Sequence, residues 1–276
     1  MLEVRPDKPL SPLLLALMRT LDGVATQLSI PYFVIGATAR DILLEHVYGI
    51  ASTRATRDID FAVAVPSWDV FDILKTQLIS TGEFIPEESA RRLLFGKEAG
   101  AYPLDLVPFA GVERNGEIAW PPDGDFVMNI AGYADAHASA LAVAIAPGFM
   151  VKIVSLPAMA VLKILAWTDR PERDKHASDV LLLLRHYHEA GQFDRLYDDD
   201  ADLLAAFDYD IELAGAALLG RDAQRDVAPG TCKQVHNALA DERKVDKFIA
   251  QARRSSTAAS ERATLLINAF LHSLFH

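Results

Sequence analysis

The sequence predicts an α/β (α+β) chain in two parts: a mixed sheet with flanking helices to about residue 155, then a helical region to the end. Three observations predict it. Short strand-like runs alternate with helical periodicity in the first half. The run from Asp58 to Val65 has the strict period of two that a strand requires. From Leu156 onward the apolar spacing is helical throughout. The expected domains are therefore 1–155 and 156–276.

Ser11-Pro12 marks the first helix start, with serine at the cap and proline in the first turn. Leu14, Leu17, Met18, Leu21 and Leu28 recur at helical spacing until Ile30-Pro31 ends the helix. Tyr32 to Ile35 reads as a short buried strand ending at Gly36. Thr38 is expected to cap a second helix, with Asp41 three residues on completing a capping box. Gly49 stops that helix, and residues 50 to 57 form a polar, basic loop. In the next strand Ile59, Phe61, Val63 and Val65 share one face, and Asp58, Asp60, Ala62 and Ala64 share the other. Pro66 ends the strand, and Ser67 caps a helix carrying Phe71, Leu74 and Leu78.

Arg92 to Phe95 and Tyr102 to Phe109 read as an antiparallel pair with Gly96 and Gly100 in the turn. Residues 112 to 126, containing Trp120-Pro121-Pro122-Asp123-Gly124, read as a loop. Strand-like runs at 140–146 and 149–154 are split by Pro147-Gly148. The helical half is expected to contain helices over 157–169, 176–190, 200–219, 242–254 and 260–274.

Composition narrows the function classes. With 51% hydrophobic and 24% charged residues the chain folds rather than staying disordered. No apolar run reaches the roughly 18 residues that span a bilayer, so no membrane segment is expected. Met1 to Lys8 carries charges and prolines without a small-residue cleavage site, which argues against a secretory signal. Cys232 is the single cysteine, so no internal disulfide forms, and a reducing, cytoplasmic setting fits. A net charge of −11 excludes a broad nucleic-acid-coating surface. The acidity is uneven: Asp198, Asp199, Asp200 and Asp202 cluster, whereas Arg54, Arg57, Arg91 and Arg92 fall near other carboxylates and leave room for a local basic groove.

Those other carboxylates carry the chemistry. Asp58 and Asp60 point the same way on a strand, about 6.5 to 7 Å apart. Two carboxylates beside an otherwise apolar strand are costly unless a cation neutralises them or water covers them. Hard divalent ions such as Mg²⁺ take oxygen ligands and keep sites for substrate phosphates. Asp105 sits between Leu104 and Leu106 in an apolar strand. Alone it fits an edge charge facing water; beside Asp58 and Asp60 it completes a set suited to two-metal phosphoryl transfer.

Gly36-Ala37-Thr38 is a tight strand-to-helix turn of the kind that offers backbone N–H groups to an anion. Gly36 permits close approach, the Thr38 hydroxyl can donate to a phosphate, and Arg40 is a cation at the end of a helix where the dipole disfavours it. An ordinary turn fits the same residues. Lys163 is the single charged residue between Ile153 and Trp167, so it either snorkels to water or meets an anion. Asp179 faces an apolar run and can orient Lys163 or an arginine. His186 and His188, two apart on an expected helix, make a poor metal pair. His176, His272 and Cys232 have no partner motif.

Gly36-Ala37-Thr38-Ala39-Arg40-Asp41 followed by Arg57-Asp58-Ile59-Asp60-Phe61 resembles the DNA polymerase beta-type nucleotidyltransferase superfamily, with its small-residue turn, helix and acidic-x-acidic strand. The Arg40-Asp41 pair is similar to that of the tRNA CCA-adding enzymes. The nearest resemblance is to the AbiEii-like group, which includes toxins of toxin–antitoxin systems. Asp105, Lys163, Arg170, Arg173-Asp174 and Asp179 extend it over roughly residues 30 to 190. Two departures stand out. Ala37 replaces the usual second glycine or serine, and the longer spacing to Asp58 implies an inserted loop over about Tyr48 to Thr56.

The resemblance implies a Mg²⁺-dependent transfer of a nucleoside monophosphate from a nucleoside triphosphate to an acceptor hydroxyl. Asp58, Asp60 and Asp105 would ligate metal, with Asp105 also a candidate base. Gly36, Ala37, Thr38, Arg40, Lys163 and Asp179 would serve the nucleotide. It further implies a tRNA acceptor and an antitoxin protein as partner. An antibiotic-type small-molecule transferase, or a nucleotide-binding or partner-binding protein without activity, are the rival readings.

Overall fold

The computed structural model describes residues 1–51, 58–96, 101–254 and 260–275. They form two compact units, Met1–Val154 and Ser155–His276. Among the described residues no helix is long and apolar enough to cross a membrane.

The first unit begins with β1 (Leu2–Glu3) and α1 (Pro12–Gln27). Ser11 caps α1 by accepting from the Leu14 N–H at 3.2 Å, and Leu14, Leu17, Met18, Leu21 and Val24 form the buried stripe. β2 (Tyr32–Ile35) runs straight into α2 (Gly36–Asp41), which continues as π-helical turns over Ile42–Val47. The expected cap at Thr38 is not found. The helix starts two residues earlier at Gly36, where a φ of +74° makes the turn. Thr38 is buried, and its hydroxyl instead donates to the Asp58 carbonyl at 2.9 Å.

β3 (Ile59–Val65), α3 (Trp68–Ser80), β4 (Phe84–Pro86), β5 (Arg92–Phe95) and β6 (Tyr102–Ala110) follow. Ser67 caps α3 as expected. A hairpin of β7 (Glu117–Ala119) and β8 (Val127–Asn129) stands where a loop was expected. Trp120 is buried there, its ring 5.4 Å from that of Trp68 and 5.8 Å from that of Phe71. The unit ends with α4 (Tyr133–Ala138) and the β9 (Leu141–Ala146)–β10 (Phe149–Ile153) hairpin. The main sheet has the order β1-β9-β10-β2-β3-β6-β5-β4. It is mixed: β3 pairs parallel with β6 and antiparallel with β2, and β5 pairs antiparallel with β6. Phe33, Phe61, Val63, Leu104 and Leu106 fill its centre without exposure. Each such side chain contributes about 1.5–3 kcal/mol relative to leaving it in water.

The second unit is helical: α5 (Leu156–Asp169), α6 (Lys175–His186), α7 (Phe193–Tyr197), α8 (Ala201–Ala206), α9 (Ile211–Asp226), α10 (Pro229–Ala238), α11 (Glu242–Arg254) and α12 (Ser260–Phe275). Ser155 caps α5, with Pro157 in its first turn. The single helix expected over 200–219 is two. Asp208 and Tyr209, at φ of +51° and +64°, reverse the chain, and Asp210 caps α9 by accepting from the Leu213 N–H. Glycines let α9 pack closely: a Cβ at Gly220 would lie 2.3 Å from the Phe270 carbonyl of α12.

Candidate active site

The parallel register of β3 and β6 sets Asp60 directly beside Asp105. Register partners project to one face, with strands about 4.8 Å apart. Asp60 also pairs with Ile35, the last residue before the Gly36 turn. Asp58 comes one residue ahead of β3, rather than on it, and its side chain is half exposed. Asp105 is buried.

Gly36 touches this site in a way the sequence did not show. A Cβ there would fall 2.1 Å from Asp60 Oδ2. The turn is therefore left open for a carboxylate of the chain itself. Ala37 and Thr38 follow within α2, and the buried Thr38 hydroxyl ties that helix to the backbone of Asp58. Its one proton is committed there, so the phosphate contact expected of it has no donor in this arrangement. Arg40 differs from expectation too. Its side chain is 1% exposed, and Nε and Nη2 donate to Asp41 Oδ1 at 2.9 and 2.6 Å. A guanidinium this buried is held in an ion pair that ties it to the helix.

The sequence puts two arginines near the carboxylates, and the β5–β6 register gives them a place. Arg92 lies opposite Asp105. Its Nε donates to Asp105 Oδ1 at 2.6 Å and its Nη2 to Oδ2 at 2.8 Å, a bidentate pair. The same Nη2 is 4.0 Å from Asp58 Oδ2, and Arg91 Nε is 3.4 Å from Asp105 Oδ2. The hydrogen bond to Asp105 raises the Arg92 pKa above its ordinary value. Arg54 and Arg57 lie outside the described residues, as does most of the expected inserted loop.

The donor set suits a hard divalent ion by its chemistry: carboxylate oxygens, two of them on register partners of adjacent strands. Among the described residues no three His, Cys, Asp or Glu side chains gather into a ready metal cage. Arg92 holds the Asp105 oxygens that such a cage would use.

In the helical unit Lys163 Nζ donates to Asp179 Oδ2 at 2.5 Å, and both are buried. The lysine meets an anion rather than snorkelling. His176, which the sequence left without a role, belongs to the same neighbourhood. Burial first, and Lys163 next, push its pKa down to about 3, so the ring is neutral. Its Nδ1 is buried and has no hydrogen-bond partner among the described residues. The acidic run resolves into an ion-pair network: Asp200 pairs with Arg195 and Arg221, Asp202 with Arg221, and Asp222 with Arg195 and the Tyr187 hydroxyl.

The model of the family described as nucleotidyl transferase AbiEii toxin, type IV TA system, matches residues 19–262. The chain belongs to the AbiEii nucleotidyl transferase family. No curated protein matches it. Solved structures with similar features include an antigenic nucleotidyltransferase-like protein from Paracoccidioides brasiliensis, 18% identical, covering 75% of this chain and 94% of its own, with a TM-score of 0.43. The antibiotic-resistance factor ANT(2'')-Ia is 19% identical over 77% of this chain and 95% of its own, at a TM-score of 0.37. A CCA-adding enzyme in an apo form is 14% identical over 95% of this chain and 71% of its own, at 0.33. The AbiEii chain described here is thus a nucleotidyltransferase by family.

Proposed function

We infer that this AbiEii protein moves a nucleoside monophosphate from a nucleoside triphosphate to an acceptor hydroxyl, with release of pyrophosphate, at the Asp58–Asp60–Asp105 face. The observation that carries the reading is the Asp60–Asp105 register pair, with Gly36 kept bare against Asp60. Asp58, Asp60 and Asp105 would hold Mg²⁺, which neutralises phosphate charge and polarises the reacting phosphorus. Asp60 is fixed by its central strand and by the turn packed on it. Asp105 would also take the proton of the acceptor hydroxyl. Gly36 and Ala37 leave backbone at the turn for the nucleotide.

The acceptor we favour is a tRNA hydroxyl, in line with the family's toxin description, and Arg91 and Arg92 give the acidic chain its local positive charge beside the carboxylates. An antitoxin protein is the partner that this role implies. The lone thiol and the triphosphate substrate fit a cytoplasmic setting. The test is transfer of α-³²P-labelled nucleotides to tRNA, protein and aminoglycoside acceptors. Label on tRNA that is Mg²⁺-dependent and absent in Asp60→Ala supports the reading. Label confined to a small molecule replaces the acceptor, and undiminished labelling by Asp60→Ala refutes the site.

A further inference from the structure

Asp105 stands between two neighbours of opposite charge: Asp60 across β3 and Arg92 across β5. A buried carboxylate beside a second carboxylate needs a cation. Here the cation is built in. Arg92 occupies both oxygens of Asp105 and reaches to 4.0 Å of Asp58, so one guanidinium spans two of the three carboxylates. Arg91 adds a longer contact from the same strand end.

A divalent ion at Asp105 needs at least one of those oxygens, and it would meet a guanidinium already on them. The two cations repel at such range, and the repulsion is strong where water is partly excluded. The arginine has somewhere to go, whereas the carboxylate does not. The Arg92 side chain is 29% exposed and that of Asp105 is 5% exposed. Arg92 is held by its head group, on a strand one place from the sheet edge.

We propose that Arg92 is the resident counter-ion of the transfer site, and that divalent-ion binding at Asp105 proceeds by exchange with this guanidinium. This rests on the nucleotidyl-transfer reading of the site. Arg92 is thus a positioning residue acting through Asp105. It keeps the carboxylate correctly turned before loading, and sets how readily the site takes metal. Once released, its charge stays beside the anion that the metal brings.

The experiment is calorimetric titration of the full chain with Mn²⁺ alone, without nucleotide, for wild type, Arg92→Gln, Arg92→Lys and Asp60→Ala. Removing a bidentate charged competitor raises Mn²⁺ affinity by about tenfold in Arg92→Gln. Lysine, with a single point contact, gives an intermediate gain, and it serves as the folded variant should glutamine destabilise the sheet. A second readout is thermal melting: the melting temperature of metal-free Arg92→Gln falls below wild type and is restored by Mn²⁺ to a greater extent than wild type is raised. If Mn²⁺ binds wild type in an Asp60-dependent manner and neither Arg92 variant binds it more tightly, the exchange is overturned while the transfer site stands. If Mn²⁺ binding survives Asp60→Ala, or no variant binds Mn²⁺, the site reading falls and the exchange with it.

Discussion

Gly36→Ala is the perturbation that probes the candidate site most directly, because it adds one methyl group and touches one functional atom. The added Cβ would lie 2.1 Å from Asp60 Oδ2 and 2.9 Å from its Cγ. Ordinary contact needs more than 3 Å, so the carboxylate must retreat by about 1 Å, and a misplacement of that size costs on the order of 100-fold in rate. The backbone adds its own penalty. Gly36 has a φ of +74°, and an L-residue there costs about 1–2 kcal/mol. For a chain of this size that lowers the melting temperature by roughly 2–8 °C. The assay pairs label transfer with thermal melting in Gly36→Ala, Asp60→Ala and the double variant. Removing the carboxylate removes the 2.1 and 2.9 Å contacts, so the double variant should be more stable than the sum of the single effects predicts, with the φ penalty and one tight contact to the residue-60 Cβ at 3.0 Å left. Wild-type transfer by Gly36→Ala, or strict additivity of the melting shifts, would sink the idea that the glycine exists to admit Asp60.

Other expectations follow from the same structure. Lys163→Met removes the lysine partner of the buried Asp179 carboxylate and lowers unfolding free energy by about 3–5 kcal/mol, while Lys163→Met with Asp179→Leu recovers most of it, as measured by urea denaturation. His176 titrates at about 3 when folded and near 6.5 when unfolded. The unfolded state therefore binds the proton first, stability is whole above pH 6.5 and falls as pH drops toward 3, with a slope of at most about 1.4 kcal/mol per pH unit from this ring. The dependence of stability on pH across that window should be flatter for His176→Gln, and an unchanged slope would show that the ring takes up its proton alike in the folded and unfolded states. Gly220→Ala should destabilise the helical unit by about 1–3 kcal/mol despite alanine's better helix propensity, because its methyl would meet the Phe270 carbonyl at 2.3 Å; a gain in melting temperature would contradict the packing.

Much of the sheet was legible because its strands are long or sharply patterned. The alternation of Ile59 to Val65 announces β3, and Leu104 and Leu106 around Asp105 announce β6. The two- and three-residue strands β1, β4, β7 and β8 carry no period to read. The break between α8 and α9 was hidden because Asp208 and Tyr209 adopt a left-handed conformation without a glycine. Residue type singled out Asp60 and Asp105 in the sheet and Lys163 in the helical unit, since lone charges among apolar neighbours need partners. Residue type did not announce the partners that Thr38 and Arg40 have inside the fold. Arg92 was invisible as a partner of Asp105, because that contact depends on strand register across thirteen residues.

The sheet order carries a consequence for motion. β3 and β6, which bear Asp60 and Asp105, each have strands on both sides, while β5, which bears Arg92, is separated from solvent only by the three-residue β4. Amide hydrogens of Ile59–Val65 should exchange only through near-global opening, whereas those of β5 exchange through local fraying of the edge. Asp60 and Asp105 would thereby ride on slowly opening strands, and the arginine that pairs with Asp105 on a faster one.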